Sequence, residues 1–155
     1  ETSRDFATEY IDVREIIGTS IEILGPKTQK KNIAVTFNTD GQSARVPGNR
    51  FLAEEIFFNL IDNAINYNTE GGSIIIDMEK KGESLTVAIV DTGIGIPGDS
   101  IDRIFERFYR VDKSRSRATG GTGLGLSIVK HAAEILGWNI KVTSSSGGTR
   151  FIIEI

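Results

Sequence analysis

Cysteine is absent from the 155 residues, which excludes a disulfide scaffold and thiolate zinc sites and leaves the redox compartment unreadable. An excess of positive charge is missing too. Eighteen Lys and Arg face 21 Asp and Glu, for a net charge of -3, so nothing tracks a phosphate backbone and nucleic acid is not expected as a partner. The longest apolar runs are short, as in Ile74-Ile75-Ile76, far below the roughly 20 residues that a membrane span needs. With neither an initiator Met nor a signal peptide, the chain is expected to be a piece of a longer protein. What it has in plenty is glycine, 17 residues gathered mainly in three clusters. A chain of this length suits one domain and buries roughly 70% of its unfolded surface, enough for a core without staples.

Apolar residues Val13, Ile16, Ile17, Ile21 and Leu24 recur at helical spacing, with Asp12 as the expected N-cap and Gly25-Pro26 as the expected stop. Ile33, Val35 and Phe37 alternate as in a strand, and a long helix is predicted over residues 51–67. Two more alternating runs, Ile74/Ile76/Met78 and Leu85/Val87/Ile89, flank Lys81-Gly82-Glu83 and predict a hairpin. A loop over 91–97, a short helix over 100–108, a polar segment over 109–122 and a helix over 124–136 ended by Gly137 come next. Ile140/Val142 and Phe151/Ile153/Ile155 form a closing hairpin around Gly147-Gly148. No regular βαβ rhythm emerges. The predicted fold class is an α/β (α+β) sandwich, a mixed, largely antiparallel sheet covered on one face by about three helices. One domain is expected over residues 12–155, with 1–11 as the tail of an upstream element.

Within the long helix, Glu55, Asn59, Asn63 and Tyr67 are each four apart and form one stripe. Leu52, Ile56, Leu60 and Ala64 run beside them and set the stripe at the edge of the core-facing surface. Buried polar groups without partners cost on the order of 1–3 kcal/mol each. A ligand rich in donors and acceptors would supply partners, as would Mg²⁺ that keeps waters and phosphate oxygens. Alternatively, the Asn side chains cap neighbouring loops or face water.

The glycine clusters carry a second set of signals. Asp91-Thr92-Gly93-Ile94-Gly95-Ile96-Pro97 leaves a strand directly. Its carboxylate repels phosphate and suits an N–H donor such as an exocyclic amine; the plainer alternative is an Asx-turn. Gly120-Gly121-Thr122-Gly123-Leu124-Gly125-Leu126 opens the helix that follows. Free backbone N–H groups at such a start bind phosphate well, and a flexible linker is the alternative. Between the loops, Phe105, Phe108 and Tyr109 stand among Arg103, Arg107, Arg110, Lys113, Arg115 and Arg117. Aromatic anchors ahead of a basic, Gly- and Ser-containing run have the makings of a lid, or of a solvated charged loop.

In their order and spacing, Asn59-Leu60-Ile61-Asp62-Asn63-Ala64, Asp91 to Pro97, Phe105 to Phe108, Gly121 to Leu126 and Gly147-Gly148-Thr149 resemble the N, G1, F, G2 and G3 boxes of sensor histidine kinases. The resemblance is to their catalytic and ATP-binding domain, a member of the GHKL ATPase superfamily. It implies that Asn63 and Asn59 help hold Mg²⁺ on the ATP phosphates. Asp91 would accept from the adenine 6-amino group, with Gly95 close to the ring and Tyr67 along adenine or ribose. Gly121, Gly123 and Gly125 would frame the phosphates under a lid over 109–122. Gly93, Arg110, Lys113, Thr122, Leu124 and Thr149 would complete the nucleotide contacts. Glu55, with Asn59, would serve catalysis as a general base or polariser toward the incoming histidine. One departure stands out: the family usually has Lys where this chain has Asn66.

The implied activity is transfer of the ATP γ-phosphoryl group to a His on a dimerisation and phosphotransfer domain outside this chain, with a response regulator downstream. Residues 1–11 would end the preceding dimerisation helix or linker. His131, the sole histidine, is expected to be an ordinary helix residue. The domain is expected to be a cytoplasmic, monomeric part of a membrane-bound sensor and to touch no membrane itself. Two rivals carry the same pocket: an anti-sigma-factor serine kinase and a non-catalytic nucleotide sensor.

Overall fold

The computed structural model describes residues 9–107, 109 and 125–155. In chain order the elements are β1 (Glu9–Asp12), α1 (Val13–Ile23), α2 (Gly25–Lys30), β2 (Ala34–Thr39), β3 (Arg45–Gly48), α3 (Arg50–Asn66), β4 (Ser73–Lys81), β5 (Ser84–Asp91), α4 (Gly125–Leu136), β6 (Asn139–Ser145) and β7 (Gly148–Glu154). Asp12 caps α1 as expected, its carboxylate accepting from Arg14 N at 3.0 Å and Glu15 N at 3.4 Å. Gly25-Pro26 ends α1 but does not end helical structure. Pro26 sits in the first turn of α2, where a missing N–H breaks no helical bond. The expected short helix over 100–108 is replaced, over its described residues 100–107, by successive four-residue turns, with Ser100 N on Pro97 O at 2.9 Å and Arg103 N on Ser100 O at 2.9 Å. Pro97, Gly98, Asp99 and Ser100 supply turn chemistry that overrides the helical spacing. Ile104 is buried there, and Phe105 meets Phe151 edge-on at 6.3 Å.

Five strands form one sheet in the order β2-β4-β5-β7-β6, with β2–β4 parallel and every other pair antiparallel. β1 and β3 pair separately as a two-stranded ribbon. Register places Ile76 opposite Ile89 and Ile89 opposite Phe151, so one row of core side chains crosses three strands. Ile74, Ile76, Leu85, Val87, Ile89 and Ile153 are all but fully buried. Their alternates Ile75, Asp77, Glu79, Lys141 and Arg150 are exposed on the other face. Helices α1, α3 and α4 cover the buried face, with α3 in contact with both others and with β5. That central place explains why α3 buries Leu52, Ala53, Ile56, Phe57, Leu60, Ile61, Ala64 and Ile65 rather than a narrow stripe. Phe57 also packs on Trp138 at 6.2 Å. Gly137, at φ +75°, closes α4 in the left-handed conformation expected of a helix stop. The architecture is the one-sided, mixed α/β sandwich that the pattern predicts.

Candidate nucleotide-binding site

Helix α3 carries one wall of the site. Asn49 caps its start by accepting from Leu52 N at 3.0 Å. Glu55, Asn59, Asn63 and Tyr67 are half-buried, beside the buried Ile56, Leu60 and Ala64. Asn59 Nδ2 donates to the Glu55 carbonyl at 2.7 Å and to Glu55 Oε2 at 3.2 Å, so the first pair of the stripe is internally ordered. Gly125 starts α4 against this pair: a Cβ there would stand 3.2 Å from Asn59 Oδ1. The Asn63 side chain makes no hydrogen bond among the described residues. A half-buried amide oxygen with no protein partner suits a hard cation that takes few protein ligands. Among the described residues no three His, Cys, Asp or Glu side chains converge as a metal cluster.

The far end of α3 is fastened from α2. Lys31 Nζ donates to the carbonyls of Ile65 at 3.0 Å and Asn66 at 2.9 Å, placing a cation on the last-turn oxygens where the helix dipole favours it. Lys27 Nζ reaches Asp62 Oδ1 at 2.5 Å and Asn66 Oδ1 at 2.7 Å. Asn66 is therefore held toward α2.

Asp91 ends β5 and forms the second wall. Its Oδ1 accepts from Gly93 N at 2.8 Å, an Asx-turn bond, and also from Thr149 N at 3.3 Å on β7. The residue is 7% exposed, and its Oδ2 has no protein partner among the described residues. Burial pushes the Asp91 pKa up, and the two backbone N–H groups oppose the rise. The neighbouring glycines are required by close backbone approach. A Cβ at Gly93 would lie 2.3 Å from the Tyr67 carbonyl, which itself accepts from Ile94 N at 3.2 Å. Gly95, at φ +76°, would put one 1.9 Å from the Ser145 carbonyl; Gly148, at φ +140°, 1.9 Å from the Asp91 carbonyl. The loop over 91–97 is thus pressed against the end of α3 on one side and the β6–β7 hairpin on the other. An open cavity of ≈ 390 Å³ lies on the β6–β7 hairpin and the end of β5, lined by Val90, Asp91, Thr143, Ser145, Thr149 and Arg150, among others, and by no residue of α3.

The structure therefore gathers Asp91, Gly93, Gly95 and Thr149 at the Tyr67 end of the stripe, and Gly125 at its Asn59 end. Arg110, Lys113, Gly121, Thr122, Gly123 and Leu124 lie outside the described residues, as do Phe108 and all but Tyr109 of the expected lid. His131 is exposed on α4.

Two side chains escape the motif reading. Asn68, 3% exposed, donates to the Ser73 carbonyl at 3.1 Å and accepts from Thr69 N at 2.8 Å and Thr92 Oγ1 at 3.3 Å. Ser144 Oγ accepts from Ile96 N at 2.6 Å, reaches the Gly148 carbonyl at 3.1 Å and lies 3.0 Å from Thr149 Oγ1. A signal for Ser144 does exist: Ile140, Val142 and Ser144 alternate, which turns a hydroxyl toward the apolar face.

A one-sided α/β sandwich with a buried carboxylate at a strand end and glycine-lined walls defines a nucleotide-site architecture of the ATPase kind. Residues 48–155 match the family described as histidine kinase-, DNA gyrase B-, and HSP90-like ATPase. The chain belongs to that family, and within it to the ATP-binding catalytic domains of sensor histidine kinases. It is 41% identical over 149 residues to the sensor-like histidine kinase SenX3 of Mycolicibacterium smegmatis, covering 95% of this chain and 38% of that protein. It is 46% identical over 101 residues to the signal transduction histidine-protein kinase ArlS of Staphylococcus aureus, covering 64% of this chain and 22% of that one. The catalytic domain of histidine kinase ThkA superposes with a TM-score of 0.84 at 30% identity, over 97% of this chain and 95% of that one. The chain thus spans well under half the length of the curated relatives it matches. No helix among the described residues is long and apolar enough to cross a membrane.

Proposed function

We propose that this domain binds ATP with Mg²⁺ between the Asp91 corner and the α3 stripe, and transfers the γ-phosphoryl group to a histidine on a dimerisation and phosphotransfer domain of the same full-length protein. The observation that carries the reading is the Asp91 carboxylate, buried, with one oxygen engaged by two N–H groups and the other without a protein partner among the described residues. Such an acceptor suits the adenine 6-amino group. Gly93 and Gly95 let the backbone approach the ring, Thr149 lies beside Asp91, and Tyr67 lines the base or ribose. From Tyr67 to Asn59 the stripe runs about 12 Å along the helix at 1.5 Å per residue, toward the start of α4, where backbone N–H groups and the helix dipole favour phosphate.

Asn63 and Asn59 would hold Mg²⁺ by amide oxygens, and the ion would neutralise charge on the β- and γ-phosphates. Gly121, Gly123 and Gly125 would admit the phosphates closely, and Thr122, Leu124, Arg110 and Lys113 would add further contacts to the nucleotide. Glu55, oriented by its bond with Asn59, would accept the proton from one imidazole nitrogen of the incoming histidine while the other attacks. The rate then comes from positioning and electrostatics. Residues 12–155 form the catalytic unit, joined by the strand residues 9–11 that pack onto it through Ile11, and the chain before them is the approach from the dimerisation helix. The domain acts as a cytoplasmic monomer serving a membrane-bound sensor, and a response regulator receives the phosphoryl group afterwards. The solved complex of ThkA, 28% identical to this chain, with the response regulator protein TrrA supports a response regulator among the partners.

Calorimetric titration with ATP, with and without Mg²⁺, tests the binding half. Saturable binding strengthened by Mg²⁺ is expected, and no binding at millimolar ATP sinks the reading. Incubation with ATP and separately produced dimerisation domain tests the transfer half. Acid-labile label on that partner is expected; acid-stable label would point to a serine kinase, and no label to a nucleotide sensor.

A further inference from the structure

The hydroxyl of Ser144 has one hydrogen and two lone pairs, and three neighbours within reach. Ile96 N–H donates to it at 2.6 Å, and the Gly148 carbonyl, 3.1 Å away, accepts its hydrogen. The third contact, 3.0 Å from Thr149 Oγ1, then closes only if Thr149 donates. Thr149 has a single hydroxyl hydrogen, and its backbone N–H is engaged by Asp91 Oδ1 at 3.3 Å. With both of its hydrogens taken, buried Thr149 meets a ligand with lone pairs alone. Asp91, when ionised, likewise offers only acceptors.

We infer that Ser144 is a specificity-determining residue: by holding the Thr149 hydroxyl hydrogen, it makes the base corner reject purines that carry a carbonyl at position 6. This rests on the ATP reading above. A 6-amino group brings donors to the corner. A 6-oxo group puts an acceptor where that donor was, its ring hydrogen now on N1, and a buried acceptor set against the Asp91 oxygen with no donor between them is strongly disfavoured. Without Ser144, the Thr149 hydroxyl is free to turn and donate to that oxygen. The sequence separation explains the arrangement: Ser144 lies 48 residues from Ile96 and braces the loop over 91–97 from outside it.

The test uses this chain in Mg²⁺ with ATP and inosine triphosphate, which presents a carbonyl where ATP has the amino group. The unsubstituted chain is expected to prefer ATP. Ser144→Ala is expected to lower the ATP-to-inosine-triphosphate affinity ratio about tenfold, chiefly by improving the inosine nucleotide. Ser144→Thr, which keeps a hydroxyl, restores the ratio. Adding Thr149→Val to Ser144→Ala abolishes the inosine gain, because the donor is then gone. If Ser144→Ala weakens both nucleotides equally, or keeps its inosine gain beside Thr149→Val, Ser144 is only a brace and the inference falls. Equal affinities in the unsubstituted chain overturn it as well, while leaving the binding site intact. Failure of that chain to bind either nucleotide overturns instead the ATP reading beneath it. Should Ser144→Ala not fold, as judged by its thermal transition, Ser144→Cys carries the same comparison with a weak hydrogen-bonding group.

Discussion

At the Tyr67 end of α3 the site is backbone pressed on backbone, whereas at the Asn59 end it is side chains with open positions. Around Asp91, three segments meet so closely that Gly93, Gly95 and Gly148 admit no Cβ without collision, and the amides and hydroxyls are mutually engaged. Around Asn63, the amide has no partner among the described residues. The first end is formed by the fold itself and costs little to organise on binding. The second is completed by what binds there. A site of this kind recognises at its rigid end and assembles its chemistry at the other, so damage to the two ends should read out differently.

Gly148→Ala should break the rigid end outright. Its φ of +140° and the Asp91 carbonyl 1.9 Å from the added Cβ predict a loss on the order of 3 kcal/mol, seen as a lower urea midpoint. Asp91→Asn should spare the fold and remove recognition, weakening ATP binding by about 100-fold, a calorimetric measurement. Its effect on stability has a definite sign. The Asp91 pKa is raised in the folded chain, so the folded state binds the proton more tightly. Stability then falls as pH rises from the ordinary value of 3.8 through the raised folded value. Asp91→Asn should flatten that slope and leave the chain no less stable at pH 7. ATP binding by the unsubstituted chain should weaken in the opposite direction, as pH falls through the raised value.

At the open end, Asn63→Ala should leave thermal stability unchanged and lower ATP affinity about tenfold in Mg²⁺. In a chelator the two chains should bind alike; a loss that persists there would make Asn63 a direct nucleotide contact. The smallest effect belongs to Lys27→Ala. Its exposed pairing with Asp62 and Asn66 should contribute well under 1 kcal/mol, measured by chemical denaturation. A larger loss of ATP affinity than of stability would mean that Lys27 reaches the phosphates.

The sheet and the long helices were legible because their apolar residues keep strict periods of 2 and 3.6 over many positions. β1 and β3 were not, since strands of four residues with a single core pair, Ile11 opposite Val46, show no alternation to count. Helix α2 buries none of its six residues and so leaves no apolar pattern. The parallel pairing of β2 with β4 depends on the path taken between them and is invisible in either strand. In the site, Asp91 and the glycines stand out because few residue types tolerate those positions. Ser144 and Asn68 are common residues whose roles arise only when distant loops meet.

That parallel pairing has a consequence for where binding is felt. Among the described residues β2 is an edge strand held by β4 alone, and the chain between the two includes α3. Peeling β2 away strains the segment that carries Asn59, Asn63 and Tyr67, so a molecule gripping α3 also resists the peeling. Amides of β2, outside every contact described for the site, should take up deuterium more slowly when the site is filled. The slowing at that edge would report occupancy by energetic linkage alone, from a strand the ligand never touches.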